Sequence, residues 1–236
     1  MSCVVIIELQ KYYYFSNKTV KDTLVSTHIY PFSRDKTGKK WLSICFYFYS
    51  FLNLNVMDNV LIKAILCDFD QTLFDTREAK PYWKCGKPDW KTAYSKIPEC
   101  PFYDGWRYTL VALRRLPFGI VSHNTKQFID RVLRYYNVKE FSPVIGRYGE
   151  GSRPFRRALP KMALFEQALQ HEGFYGLESN EILYLGDEAR DVEQANEVGF
   201  LSGACYWGSQ EKELLDAATP TFRLQTPLDL LELCPQ

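Results

Sequence analysis

The sequence lacks the features that would place it in several broad classes of protein. It carries 29 basic and 28 acidic side chains, and a net charge of +1 gives no overall field that would recruit nucleic acid. No Cys-x-x-Cys pair occurs and the seven cysteines are an odd number, which argues against a disulfide framework and a zinc ribbon. We therefore expect a globular protein of the reducing cytoplasm, with no nucleic-acid partner.

The first part of the chain differs from the rest in composition. Residues 1–56 lack alanine and have one glycine, but they hold twelve aromatic residues and a net charge of +4. Their uncharged run, 41–56, is shorter than the ~20 residues that span a bilayer, and no small-residue cleavage site follows it. We expect 1–56 to be an extension to a core domain at 57–236. A strand-forming appendage and a membrane-associated segment are the alternatives, so no membrane partner is expected unless 41–56 inserts.

From residue 61 onward, short apolar runs alternate with helical periodicity. Pro160 is predicted to begin one helix, Thr125 another and Asp104 a third. This alternation is typical of an α/β fold, a Rossmann-like parallel sheet with helices on both faces. The segment 76–101, rich in Trp, Lys and Pro, breaks the pattern and predicts a small cap insertion after the first strand. The predicted strands are 61–69, 118–122, 143–147, 181–186 and 201–207.

Chemically capable side chains follow the first predicted strand. Asp68 and Asp70 are separated by one residue, so both can point to the same side as the chain leaves the sheet. Paired carboxylates repel each other unless a cation neutralises them or one holds a proton. A solvated turn is the alternative interpretation of this pair.

The second strand and a later helix supply groups that suit an anion. Ser122, His123 and Asn124 precede a helix whose free N–H groups can hold an anion, although serine is also a common N-cap. Lys161 lies in the first turn of a helix, where its charge opposes the helix dipole unless an anion is bound. Lys161 pointing to water is one alternative. The other is that a nearby arginine takes its place: Arg153, Arg156 or Arg157.

The fourth strand ends in a further pair of acids. Asp187 and Asp191 are four residues apart at the start of a helix and can converge on a hard cation, with Gly186 allowing a close approach. Acids also favour helix N-termini through the dipole alone. Together the strand ends provide carboxylates, a hydroxyl, a lysine and a Mg²⁺ site, which are the components of phosphoryl transfer.

These motifs, DFDQT at 68–72, Ser122, Lys161 and GDEARD at 186–191, resemble in order the four motifs of the haloacid dehalogenase superfamily. The phosphoglycolate-phosphatase-like branch is the most similar, and the resemblance covers about residues 61–233. It implies a Mg²⁺-dependent phosphatase for a small phosphorylated substrate, with Asp68 as the nucleophile that becomes an aspartyl phosphate and Asp70 as the acid/base. The implied phosphate-binding residues are Ser122, His123, Asn124 and Lys161, and the implied metal ligands are Asp68, Asp70 through its carbonyl, Asp187 and Asp191.

The chain departs from the family pattern in three places, one of which is the lack of the proline that often follows the family lysine, here Lys161. Gln71 replaces the usual glycine of the first motif, which we expect to be tolerated with a backbone outside the left-handed region. The insertion at 76–101 is a short cap, so the mouth of the site is expected to be open. We expect four residues of the insertion either to contact the substrate or to pack on the core: Trp83, Lys87, Trp90 and Tyr94.

Three other functions are compatible with part of this pattern. A phosphoacceptor signalling domain has similar groups, but there the acidic pair precedes the phosphorylated aspartate. A non-catalytic binding or scaffold protein would have no need of every motif acid, and a phosphomutase needs room that a short cap does not give. The physiological substrate and the oligomeric state are not determined by these residues.

Overall fold

The computed structural model describes residues 33–34, 40–41, 61–84, 87–148 and 158–234. The chain divides into two compact units, Met1–Met57 and Asp58–Gln236. In the first, β1 (Ser33–Arg34) pairs antiparallel with β2 (Lys40–Trp41). Residues 42–56 of the uncharged run lie outside the described residues. Among the helices that the structure describes, none is long and apolar enough to cross a membrane.

The second unit is built on a parallel sheet of six strands, in the order β5-β4-β3-β6-β7-β8. The predicted α/β class is confirmed, and five strands overlap predicted ones. The sixth, β8, was not predicted because its three residues, with an arginine in the middle, are too short to show a pattern. The strands are β3 (Ala64–Cys67), β4 (Phe118–Val121), β5 (Phe141–Ile145), β6 (Ile182–Gly186), β7 (Leu201–Cys205) and β8 (Phe222–Leu224).

Eight helices connect or flank these strands in the described ranges. Thr125 is confirmed as an N-cap, since its Oγ1 accepts a hydrogen bond from the Phe128 N–H at 3.3 Å. The predicted cap Asp104 is wrong: Gly105 precedes α3 at φ 91°, a conformation that glycine adopts most easily. The helices are α1 (Pro81–Lys84), α2 (Trp90–Ser95), α3 (Trp106–Ala112), α4 (Lys126–Tyr135), α5 (Lys161–Ala168), α6 (Ala189–Glu197), α7 (Lys212–Ala217) and α8 (Leu230–Leu233).

Helices cover both faces of the sheet. Alternate residues of β3 enter different hydrophobic clusters: Ile65 joins the one that contains Phe128 of α4, and Leu66 joins the one that contains Phe165 of α5. Because successive strand residues point to opposite faces, this division confirms the predicted two-sided packing.

The segment 76–101 packs against the first of these clusters. It contains α1, α2 and a 3-10 turn at Ile97–Glu99, and the Trp83 ring lies 4.6 Å from the Phe128 ring, centre to centre. Trp90 stacks on Trp83 at 6.2 Å, and Tyr94 stacks on Phe128 at 6.1 Å. The aromatic residues of the insertion therefore contribute to the core.

The strand order places a switch point at β3. From β3 the chain adds β4 and β5 on one side of the sheet and later β6, β7 and β8 on the other. In open parallel sheets, ligands bind beyond the carboxyl ends of the strands where the order reverses. The carboxyl ends of β3, β4 and β6 are therefore where a site is expected.

Candidate active site

The carboxyl ends of β3 and β6 bring three aspartates together. Asp68 follows β3, and its N–H donates to the Leu185 carbonyl of β6 at 2.8 Å. Asp187 follows β6, and Asp191 lies in the first turn of α6. One carboxylate oxygen of each aspartate lies within 4.8 Å of the other two, and all three residues are buried.

Gly186 permits this convergence. A Cβ added at Gly186 would lie 2.3 Å from Cβ of Asp191 and 2.6 Å from its Oδ2, far inside contact distance. Any larger residue at 186 would displace the Asp191 carboxylate. The close approach predicted from the Gly-Asp motif is therefore present.

Lys161 is buried at the start of α5 among these acids. Its ammonium donates a hydrogen bond to Asp191 Oδ1 and lies 3.2 Å from Asp68 Oδ1. Burial lowers the pKa of Lys161, but the attraction of Asp191 and Asp68 outweighs burial and raises it overall. Lys161 therefore stays charged and does not point to water. The competing arginines at 153, 156 and 157 lie outside the described residues.

The three aspartates carry more negative charge than Lys161 neutralises. Burial raises the pKa of Asp187 well above its usual range, and repulsion from Asp191 and Asp68 raises it further. The pKa of Asp68 is raised by burial, which outweighs the opposing attraction of Lys161. One lysine faces three carboxylates. Within the described part of the chain, the buried Asp68 Oδ1 accepts no well-aligned hydrogen bond, since Lys161 approaches it outside hydrogen-bond geometry.

Asp70 is oriented by a separate set of hydrogen bonds. Thr76 Oγ1 donates to its Oδ1 at 2.7 Å, and Asn124 Nδ2 lies 3.1 Å from each of its oxygens. Desolvation raises the pKa of Asp70, whereas the hydrogen bonds from Thr76 and Asn124 oppose the rise. Its carboxyl is held in one place beside Asp68.

Gln71 adopts the left-handed backbone conformation, with φ 58°, so the expectation of an ordinary backbone here is wrong. The chain turns tightly at this point, where the Gln71 N–H donates to the Phe74 carbonyl at 2.8 Å. The side chain compensates, since Nε2 donates to Thr76 Oγ1 at 2.9 Å and Oε1 accepts from Lys80 at 2.8 Å. Gln71 thus supports the residue that holds Asp70.

The residues that follow β4 have two different roles: Ser122 and His123 line the cavity, and Asn124 binds Asp70. Ser122 Oγ accepts a hydrogen bond from the Asn124 N–H at 3.2 Å, and His123 lines the same cavity as Ser122. The Asn124 side chain donates to Asp70 and accepts from the Thr125 N–H at 2.7 Å. Asn124 is therefore engaged with Asp70 in this structure.

A cavity of about 370 Å³ opens at this edge of the sheet. It brings together six predicted residues: Asp68, Asp70, Ser122, His123, Lys161 and Asp191. Asp187 lines an adjoining cavity of about 740 Å³ that shares Lys80, Glu188 and Arg190 with the first.

Five lining residues of the smaller cavity were missed by the sequence analysis: Lys80, Arg147, Glu188, Arg190 and Gln194. Trp83, which the sequence analysis named as a candidate in the insertion, lines this cavity as well. Arg147 comes two residues after β5, so the strand-end rule that identified Ser122 points to it too. Arg190 lies inside the motif that contains Asp187 and Asp191. Lys80 lies in the insertion, where no periodicity indicates its direction.

Comparison with known proteins agrees with this architecture. The family described as haloacid dehalogenase-like hydrolase matches residues 82–204, about half of the chain. This range includes Ser122, Lys161, Asp187 and Asp191 but begins after Asp68 and Asp70. The chain is also 32% identical over 142 residues to a phosphoglycolate phosphatase from Synechococcus elongatus, a match that covers 59% of this chain and 62% of that protein.

Several solved structures share the fold. A haloacid dehalogenase-like hydrolase from Streptococcus pneumoniae is 21% identical with a TM-score of 0.57, over 72% of this chain and 97% of that one. L-2-haloacid dehalogenase from Xanthobacter autotrophicus is 17% identical with a TM-score of 0.53, over 73% and 98%. At these identities the structures establish the fold alone. With its sheet, its strand-end residues and the family match together, the chain belongs to the haloacid dehalogenase-like hydrolases.

Proposed function

We propose that this hydrolase is a Mg²⁺-dependent phosphatase that cleaves a small phosphate monoester through an aspartyl phosphate on Asp68. The observation that carries the proposal is the buried convergence of Asp68, Asp187 and Asp191 around Lys161. The Synechococcus relative supports the reaction class by its name, and its substrate, phosphoglycolate, is one candidate here.

The acidic cluster fits a divalent cation. Three carboxylates face one ammonium, and the remaining charge of two is what Mg²⁺ supplies. Carboxylate oxygens are the ligands that Mg²⁺ prefers, and Asp68 Oδ1, which accepts no hydrogen bond from the described residues, can accept a further ligand. We propose Asp68, Asp187 and Asp191, with the Asp70 carbonyl, as the residues that hold it. When bound, the ion would neutralise charge on the phosphoryl oxygens.

Asp68 and Asp70 would divide the chemistry. A carboxylate oxygen of Asp68 forms a bond to phosphorus as the bond to the alcohol oxygen breaks, and Asp70 gives its proton to that oxygen. Asp70 then takes a proton from water, which attacks phosphorus and releases Asp68 and inorganic phosphate. The desolvated carboxyl of Asp70, with its raised pKa, suits the proton donor of the first step.

Lys161, Ser122 and His123 would hold the phosphoryl oxygens. Lys161 stays charged and lies within an ion-pair distance of the proposed nucleophile. Because the Asn124 side chain already donates to Asp70, we propose that Asn124 contributes mainly by orienting Asp70, and its contact with phosphate stays a prediction. The cytoplasmic location also stays a prediction.

The test is phosphate release from 4-nitrophenyl phosphate by the full chain, with Mg²⁺ and with EDTA. We expect activity with Mg²⁺ alone, no detectable release by Asp68→Asn, and a fall of about 10²- to 10⁴-fold in Asp70→Asn. Asp130→Asn is the matched control, since Asp130 lies on α4 and pairs with Lys126 at the surface. Undiminished release by Asp68→Asn, or activity that survives EDTA, would contradict the proposal.

A further inference from the structure

Two arginines in the smaller cavity have no charged partner among the residues that the structure describes. Its lining contains four acidic and four basic residues. Lys161 pairs with Asp68 and Asp191, and Lys80 lies 3.8 Å from Glu188. Arg147 and Arg190 make no ion pair with any residue in the described ranges. The two guanidinium groups are therefore not engaged by the acids of the cavity that the structure describes.

Arg147 is fixed to the loops of the site by its backbone. Its N–H donates to the Asn124 carbonyl at 2.8 Å, and its own carbonyl accepts from the Leu159 N–H at 2.8 Å. Its guanidinium carbon lies 5.8 Å from the centre of the Tyr148 ring. The Nε atom is buried and has no hydrogen-bond partner among the described residues. A buried donor without an acceptor is unfavourable, so an acceptor brought by a ligand would satisfy it.

His123 lies beside the positively charged groups of this cavity. The pKa of His123 is lowered by burial first, and then by repulsion from Lys161, Arg190 and Arg147, whereas attraction to Asp191 opposes the change. All four of these residues line the same cavity. The positive potential at His123 thus has sources besides the lysine that is paired with the aspartates.

We propose that Arg147, assisted by Arg190, binds a second anionic group, a carboxylate or a phosphate, on the alcohol portion of the substrate. The inference rests on the proposed function, because it takes the phosphoryl group to lie at Asp68. Arginine presents a planar fork of donors that matches either anion bidentately. A cavity of about 370 Å³ fits a small acid phosphate and is near the lower limit for small-molecule sites.

The test compares substrates that differ in one charge. In 2-phosphoglycolate a carboxylate stands where 2-hydroxyethyl phosphate has a hydroxymethyl group, and ethylene glycol bisphosphate carries a second phosphate there. We expect the wild-type protein to favour one or both charged esters in kcat/KM. Arg147→Gln should lower kcat/KM for a favoured ester by about 10- to 100-fold, as for loss of a charged hydrogen bond. Its effect on 2-hydroxyethyl phosphate should stay within about threefold.

Two further variants control the result. Arg114→Gln removes an arginine that lines a separate groove and should leave all three substrates unchanged. Arg147→Lys should restore part of the preference, because a charge returns without the bidentate fork. Thermal melts of each variant show whether the fold is retained.

The outcomes separate this inference from the proposed function. The anion subsite is wrong, and the phosphatase proposal stands, if the wild type has the same kcat/KM for 2-hydroxyethyl phosphate as for both charged esters. The same conclusion follows if Arg147→Gln lowers kcat/KM equally for all three esters. If no ester is hydrolysed, the phosphatase proposal fails. Calorimetric binding of 2-phosphoglycolate to the wild type and Arg147→Gln then decides the subsite, and equal affinities would overturn it.

Discussion

Two lysine–carboxylate contacts of this molecule have the same chemistry and opposite surroundings. At the candidate site, the Lys161 side chain is 3% exposed and contacts Asp191 and Asp68, whose side chains are 7% and 13% exposed. On α4, Lys126 lies 2.8 Å from Asp130, with side chains 44% and 38% exposed. By contact distance alone, the two contacts would be expected to contribute similarly to stability.

The difference between them is solvation. An exposed pair of this kind adds about 0.3–0.5 kcal/mol on a helix, because water already solvates both charges. Removing one partner of a buried pair costs about 3–5 kcal/mol, because the other charge is left without solvent or partner. The buried cluster therefore contributes little net stability, but it keeps the charged groups of the site together. Buried charged clusters of this kind are typical of functional sites.

The largest predicted effect is that of removing the buried lysine. Lys161→Met keeps a long unbranched side chain but leaves three carboxylates without their cation, and we expect a loss of about 3–5 kcal/mol in the free energy of unfolding. Lys126→Met, the matched substitution on α4, should change it by less than about 0.5 kcal/mol. Urea unfolding of both variants in EDTA measures the contrast, and equal losses would remove the basis of the comparison.

A double variant sharpens this prediction. In an Asp191→Asn background one of the competing carboxylates is already neutral, so Lys161→Met should cost less than in the wild type. Additive losses would mean that Lys161 acts mainly by packing against Tyr184, whose ring centre lies 5.1 Å from its ammonium.

The second predicted effect concerns the metal. If the three aspartates hold Mg²⁺, adding the ion at 100 times its dissociation constant should stabilise the fold by about 2.7 kcal/mol. Asp187→Asn should abolish this stabilisation and, in EDTA, should itself raise the stability. The reason is that it removes a charge whose burial, and whose repulsion from Asp191 and Asp68, raise the pKa of Asp187. Thermal unfolding with and without Mg²⁺ measures both. A Mg²⁺ response that Asp187→Asn retains would place the ion elsewhere.

Features that depend on regular spacing along the chain could be predicted from the sequence, whereas features that depend on tertiary surroundings could not. The alternation of apolar runs identified the parallel sheet, and strand ends identified Asp68, Ser122 and Asp187, because these features repeat with the period of the secondary structure. Lys161 was harder to place, since a lysine in a first turn usually faces water. Its burial follows from the tertiary approach of Asp191, which Gly186 allows.

Residues whose positions depend on irregular chain paths were not predictable in this way. Lys80 reaches Gln71 from a short insertion, where no periodicity indicates the direction of its side chain. The backbone of Gln71 was predicted incorrectly because no local signal favours a glutamine at positive φ.

The smallest predicted effect tests what Gln71 contributes at that strained position. Gln71→Ala loses the hydrogen bonds to Thr76 and Lys80 while keeping the left-handed backbone, whereas Gln71→Gly loses the same bonds but removes the strain. We expect the glycine variant to be more stable than the alanine variant by about 1 kcal/mol. Both variants should slow phosphate release by a similar factor, because Thr76 loses its support in each. If only the alanine variant were slow, the strained backbone and not the side chain would control Asp70. Urea unfolding and phosphate-release assays on the pair therefore separate the role of the backbone from that of the side chain.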